Sequence, residues 1–174
     1  MYLVQAVIQS HWDAKTNTQI NAARWEVVGP KNRYETIVLS ETNIHVGDKI
    51  AVDITSNGVN GNKSSVIMTD LRTNIRLSQD ITGYASISDS SAAECVVENH
   101  NETYAHAGMV SFNGCQVGEY STNILRWIPI GDVEKDLGNP QVDYTQRATL
   151  VNQSRTYASA SALSNGTDFT VTIV

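Results

Sequence analysis

The chain has 174 residues, a formal net charge of −6 and 17% charged residues. That length suits one domain with its own hydrophobic core, since domains usually hold roughly 100–200 residues. The acidic balance argues against a nucleic-acid partner, because proteins that bind nucleic acid cluster Lys and Arg on one face. No apolar run approaches the ~20 residues that cross a bilayer, and the N-terminus lacks the layout of a signal peptide, so we expect a soluble chain with no membrane partner.

Short runs of β-branched and apolar residues recur along the chain, and Gly, Asn, Asp or Ser bounds each of them. This arrangement is typical of antiparallel strands joined by turns. The clearest run is Lys49 to Thr55, in which Ile50, Val52 and Ile54 share one face. The other predicted strands, in chain order, are Ser64 to Thr69, Asn74 to Ser78, Glu94 to Glu98, Gly108 to Phe112, Ile124 to Ile130, Arg147 to Asn152 and Asp168 to Val174.

The same patterns predict the fold class. Many short strands with frequent turns indicate a sandwich or a barrel, and no stretch keeps apolar residues at helical spacing over three turns. The most irregular segment, Gly131 to Asp143, is predicted to be a long surface loop rather than a linker between domains. We therefore expect one all-β domain that spans residues 1–174.

The sequence predicts no metal site and no cofactor. Cys95 and Cys115 could form a disulfide or remain two buried thiols, and their spacing does not separate these cases. The histidines do not stand beside the cysteines at the paired spacings that zinc requires. Four segments match the N-glycosylation pattern; they begin at Asn62, Asn101, Asn152 and Asn165. The pattern matters only in a secreted eukaryotic protein. Chance could supply such matches in a chain rich in Asn, Ser and Thr.

One segment carries a resemblance to a known family. Residues 92–99, with the sequence Ala-Ala-Glu-Cys-Val-Val-Glu-Asn, resemble the glutamic peptidase (eqolisin) motif Ala-Glu-aromatic-Ile-Val-Glu-Asp. The second Glu of that motif is catalytic in the family and corresponds to Glu98. Residues 107–112 are similar to the Phe-Gly-x-Val-x-Phe strand that follows the motif.

Other segments resemble the same family in a consistent order. Tyr2 to Ala6 looks like the Ile-Leu-Gln-(Thr/Ala)-Gly segment, whose Gln is the second catalytic residue and corresponds to Gln5. Arg24 to Glu26 resembles a Trp-x-Glu-Trp strand, Thr42 to Ile50 an Ile-x-x-Gly-Asp-x-Ile segment, and Thr149 to Val174 the closing strands. The resemblance implies an antiparallel β-sandwich of two packed sheets, a concanavalin-A-like jelly roll, with the active residues on the concave outer face of one sheet.

The resemblance also implies an activity, which is that of a secreted acid endopeptidase acting on polypeptide. Glu98 would take a proton from a bound water and return it to the leaving amine. The Gln5 amide would donate a hydrogen bond to the developing oxyanion, an interaction typically worth roughly 2.7–4 kcal/mol. The expected substrate-binding residues are Trp25, Glu26 and Glu94.

The sequence pattern alone also allows a non-catalytic interpretation of the candidate site residues. It places Glu94 and Glu98 on one face, opposite the small apolar set Ala93, Cys95 and Val97, where they could be ordinary solvated charges. A Gln near a chain end is often only a polar surface residue, and a Trp on a strand often only packs in a core.

The sequence departs from the family in several places. The strands that precede the Gln segment have no counterpart here, so we expect an N-terminally truncated sheet. Either a second chain supplies the missing strands, the fold has adapted, or the sequence is a fragment; without a second chain we expect a monomer. The family's residues are replaced at five positions, namely Val7, Gln9, Arg24, Cys95 and Asn99, and Arg24 stands at the position of a cleft Trp.

Two other functions remain open. One is a non-catalytic lectin-like sandwich that binds carbohydrate or peptide, with Trp12, Trp25 or Trp127 stacking on sugar rings. The other is an inactive remnant of the peptidase.

Overall fold

The computed structural model describes residues 3–29, 37–38, 44–56, 63–82, 97, 108–121, 124–130, 149–152 and 155–173. Contacts divide the chain into two compact units, Met1–Ser91 and Ala92–Val174. The pairings between its named strands are all antiparallel. The expectation of a single domain over residues 1–174 stays a prediction.

The first unit contains two three-stranded sheets. One sheet has the order β1-β2-β3, formed by Leu3–Asp13, Thr18–Val28 and Ile37–Val38. The other has the order β4-β5-β6, formed by Ile50–Ser56, Lys63–Asp70 and Ile75–Thr82.

The core of the first unit lies between these two sheets. Its buried residues are Ala23, Trp25 and Val27 on β2, Val66 and Met68 on β5, Ile81 on β6, and Ile44. The residues from β2 are separated by two positions, as are those from β5, because side chains on a strand alternate between its two faces. The unit is therefore a small β-sandwich, with one face of each sheet packed against the other.

The turn between β1 and β2 fixes their register. The Asp13 carboxylate accepts hydrogen bonds from the Lys15 backbone N–H and from the Thr16 hydroxyl, both at 2.9 Å. Those bonds, led by the one from Lys15, lower the pKa of Asp13. Asn17 closes the turn at φ = 54°, a left-handed conformation that Asn tolerates better than most residues. From this turn outward all eleven positions of the two strands pair without interruption, from Asp13 with Thr18 to Leu3 with Val28.

The second unit contains a four-stranded sheet and a separate hairpin. The sheet has the order β10-β11-β12-β7, formed by Thr149–Asn152, Arg155–Ala160, Phe169–Ile173 and Gly108–Phe112. Phe112 and Phe169 are cross-strand partners whose rings stack with centroids 4.7 Å apart. The hairpin joins β8, Gln116–Ser121, to β9, Ile124–Pro129.

The all-β, antiparallel β-sandwich class is confirmed. The described part of the chain contains no α-helix, and thus no helix that could span a membrane. The strand predicted over Gly108 to Phe112 is observed with those bounds, and the predicted Lys49 to Thr55 run is β4 shifted by one residue. The sequence did not predict β1, β3, β8 or β11, and it indicated β2 only through the resemblance of Arg24 to Glu26 to a strand of the family. The predicted loop Gly131 to Asp143 lies outside the described residues.

Candidate active site

Gln5 and Glu26 lie side by side on the outer face of the first sheet. Gln5 on β1 is the direct cross-strand partner of Glu26 on β2, and the next pair along, Ala6 and Trp25, belongs to the core face. Because successive side chains alternate, the Gln5 and Glu26 side chains point away from the core. The Gln5 Nε2 atom donates a hydrogen bond to Glu26 Oε1, and the pair is partly buried.

This contact fixes the orientation of the Gln5 amide. A Gln side chain carries two N–H donors on one end and an acceptor oxygen on the other. When Glu26 takes one N–H, the donor end of the amide is oriented toward β2, and no described residue accepts a hydrogen bond from the second N–H. A pre-oriented donor of this kind is what an oxyanion site requires.

Polar and apolar side chains flank this pair. We call the part of the outer face of the β1–β2 hairpin around it the Gln5 face, which consists of Gln5, Val7 and Gln9 on β1 and of Ala22, Arg24 and Glu26 on β2. Arg24 is half-buried and pairs with Val7, one step from the Gln5 and Glu26 pair on this face. The Gln5 face therefore presents an amide, a carboxyl and a guanidinium within a few positions of one another.

Trp25 does not lie on the Gln5 face. Its side chain is 3% exposed and belongs to the core between the two sheets of the first unit. The expectation that Trp25 contacts substrate is therefore corrected: its neighbours Arg24 and Glu26 point outward, so alternation directs the indole inward. Packing is its role in this structure.

Glu98 and Glu94 lie outside the described residues. Within the predicted strand Glu94 to Glu98 only Val97 is described; it is half-buried and outside the assigned strands. Their catalytic and binding roles, and the reach of Glu98 to the same substrate as Gln5, stay predictions. Cys95 is also outside the described residues, and Cys115 is half-buried, so the choice between disulfide and thiols remains open.

The segment that resembles the family's Gly-Asp motif is held by ionic contacts. Arg72, in the turn after β5, donates from Nε to Asp48 Oδ1 at 2.6 Å and from Nη2 to Asp48 Oδ2 at 3.1 Å. Asp48 Oδ2 also accepts the His45 backbone N–H at 2.7 Å. These hydrogen bonds, with Arg72 the largest cause, lower the pKa of Asp48 to about 2. The ion pair of Asp48 with Arg72 therefore joins the segment at residues 45–48 to the β5–β6 hairpin. It remains ionic in moderately acidic solution.

Among the residues that the structure describes, no group of three or more His, Cys, Asp or Glu side chains is placed to hold a metal ion.

Sequence reasoning missed the pairing of Gln5 with Glu26, although it named both residues. The missing information was the register of β1 against β2. The signal was present in the Asp13 to Asn17 turn, which is rich in turn-forming residues. Counting outward from the pair Asp13 and Thr18 makes Gln5 the partner of Glu26.

Comparison with known proteins places this architecture among the glutamic peptidases. The structure is similar to that of aspergilloglutamic peptidase from Aspergillus niger, with a TM-score of 0.62 and 18% sequence identity over 99% of this chain and 88% of that one. At that identity the likeness shows the fold. The model of the Peptidase A4 family matches residues 1–173, and the chain therefore belongs to the peptidase A4, or glutamic peptidase, family. No curated protein sequence matches the chain.

Proposed function

We propose that this chain is an acid endopeptidase of the glutamic type, with Glu98 as general base and acid and Gln5 as the oxyanion donor. Membership of a peptidase family supports the reaction class. The observation that carries the residue assignment is the Gln5 amide, held by Glu26 on the outer face of the first sheet. A Gln that was only a solvated surface residue would not need this partly buried partner.

The role of Gln5 follows from its hydrogen bond. One N–H of its amide is taken by Glu26, and the second donates to the carbonyl oxygen of the bound peptide as negative charge develops there. The donor is already oriented before the substrate binds, so little reorganisation accompanies the chemical step. Removing one such donor typically lowers kcat by about 10²–10³-fold.

Glu98 supplies the proton transfers in this mechanism. Its carboxylate takes a proton from water, the resulting nucleophile attacks the scissile carbonyl, and the protonated carboxyl then returns the proton to the leaving amine. The peptide C–N bond breaks as that nitrogen is protonated, so the step balances with water as the only co-reactant. An acidic medium assists the protonation, and the family resemblance suggests an extracellular setting.

Cleavage of a denatured protein at acidic pH, in the presence of pepstatin, tests this proposal. The wild-type chain should cleave, and Glu98→Gln should not, because an amide cannot accept the proton from water. Asp53→Asn is a matched acid-to-amide control on β4, where Asp53 is exposed, and should cleave as the wild type does. Equal cleavage by the wild type and Glu98→Gln, or no cleavage by either, rejects the assignment.

Exposed tryptophans favour carbohydrate binding as a second candidate function. Trp12 is 62% exposed and Trp127 is 50% exposed, so each presents an indole to solvent. An exposed indole can stack on the apolar face of a sugar ring. Quenching or shift of tryptophan fluorescence by oligosaccharides, lost in Trp12→Ala or Trp127→Ala, would support this candidate. Acid cleavage that depends on Glu98 would favour the peptidase.

A further inference from the structure

Arg24 belongs to the Gln5 face but not to the proposed catalytic pair. It pairs with Val7 on β1 and stands two residues from Glu26 on β2, so its side chain projects on the same side of the sheet as Gln5. Two residues along a strand span roughly 6.7 Å, which the long side chain of an arginine can bridge. The guanidinium can therefore reach a peptide that lies over Gln5.

Arg24 has no partner among the residues that the structure describes. Its Nε atom is buried yet receives no hydrogen-bond acceptor. The ion pairs found in the described ranges all involve Asp48 or Asp70, and none involves Arg24. Arg72, by contrast, has a carboxylate partner, because its guanidinium donates hydrogen bonds to Asp48 from two nitrogen atoms.

A buried donor without an acceptor is costly. A guanidinium carries five N–H groups, and leaving one of them unpaired away from water loses hydrogen-bond energy that most proteins recover. An acceptor supplied by a bound molecule removes this cost. The planar fork of the guanidinium suits a carboxylate best, because two parallel hydrogen bonds can form at once.

We propose that Arg24 is a specificity-determining residue that binds a Glu or Asp side chain of the substrate polypeptide. The inference rests on the proposed function, because it takes Gln5 as the contact of the scissile carbonyl. An extended substrate strand also advances roughly 6.7 Å per two residues, so the acidic side chain stands within about two residues of that carbonyl. The preferred substrate class is therefore acidic polypeptide.

The proposed contact depends on pH in a defined direction. The carboxylate binds Arg24 only when ionised, and a Glu side chain in a free peptide titrates near about pH 4.3. The preference for an acidic substrate should be present above that pH and should disappear as the pH falls below it. A preference based on shape alone would not change in this way.

The test compares binding and cleavage of two labelled peptides that differ only by one Glu or Gln beside the scissile bond. Fluorescence anisotropy gives the ratio of the two dissociation constants for the wild type, for Arg24→Gln and for Arg76→Gln. Arg76→Gln is a matched control, since it removes the same charge from β6 in the other sheet. Circular dichroism and a thermal melt establish that each variant is folded.

The expected result is about tenfold tighter binding of the Glu peptide by the wild type at about pH 5.5, a ratio near 1 in Arg24→Gln, and the wild-type ratio in Arg76→Gln. At about pH 3 the wild-type ratio should also approach 1. Equal or undetectable binding of the two peptides by the wild type, or a preference that survives in Arg24→Gln, overturns the inference. Arg24-dependent preference without cleavage of either peptide would instead reject the peptidase and leave Arg24 as a residue that binds acidic peptide.

Discussion

Glu26 offers the sharpest prediction about the proposed site, because the hydrogen bond that it accepts orients the Gln5 amide. In Glu26→Ala the acceptor for Gln5 Nε2 is lost. The amide then rotates freely and must be ordered during the reaction. In Glu26→Gln the side chain keeps its length, and its amide oxygen can still accept the hydrogen bond from Gln5.

The size of the effect follows from that one hydrogen bond. A bond to a charged partner is worth about 1.5–3 kcal/mol, and losing that much transition-state stabilisation corresponds to a fall of roughly 10–160-fold in kcat. The fall should be smaller than that of Gln5→Ala, which removes the donor itself. KM should change little, because the donor acts mainly as charge develops on the oxyanion.

Steady-state cleavage of a fluorogenic peptide separates kcat from KM. Glu26→Gln should retain most of the wild-type kcat, whereas Glu26→Ala should not. Gln19→Ala, an exposed substitution near the other end of β2, is the control for a general effect on this strand. A wild-type kcat in Glu26→Ala, or equal losses in Glu26→Ala and Glu26→Gln, would refute the view that Glu26 acts by orienting Gln5.

Two further predictions concern stability. Met68 is 1% exposed in the core, so Met68→Ala should lower the free energy of unfolding, measured by urea denaturation, by roughly 2–5 kcal/mol. Ile67→Ala, on the opposite face of β5, should lower it less. Equal losses in the two variants would contradict the assigned core. Asp48→Asn should lower the Tm at neutral pH. Because folding lowers the pKa of Asp48 from 3.8 to about 2, the Tm difference should be complete above pH 3.8 and fade as the pH falls toward 2, and a difference that does not vary with pH would contradict the ionic contact.

The sequence predicted the strands best where apolar residues alternate cleanly. Residues 108–112 and the β4 run follow a two-residue period, and both are strands as expected. In β1 the period is obscured because polar and apolar residues occur on both faces, including the exposed Ile8 and Trp12. The length of β1 depends on pairing with β2, which is a tertiary interaction that local patterns do not record.

The candidate site was likewise predictable from the sequence only in part. The resemblance drew attention to Gln5 and Glu26, but only the register of the hairpin shows that they bond. The burial of Trp25 follows from alternation once its neighbours are known to face outward. The partnerless Nε of Arg24 could not be predicted from sequence, because it depends on which carboxylates lie near it in three dimensions.

The central claim is that Gln5 and Glu98 act on the same peptide bond. A crystal structure of the Glu98→Gln variant with an uncleaved peptide tests it most directly. The account predicts that Gln5 Nε2 donates to the scissile carbonyl oxygen while it keeps its bond to Glu26, and that the side chain at position 98 lies against the same carbonyl group. A peptide bound elsewhere, or a position 98 that faces away from the carbonyl held by Gln5, would contradict the account.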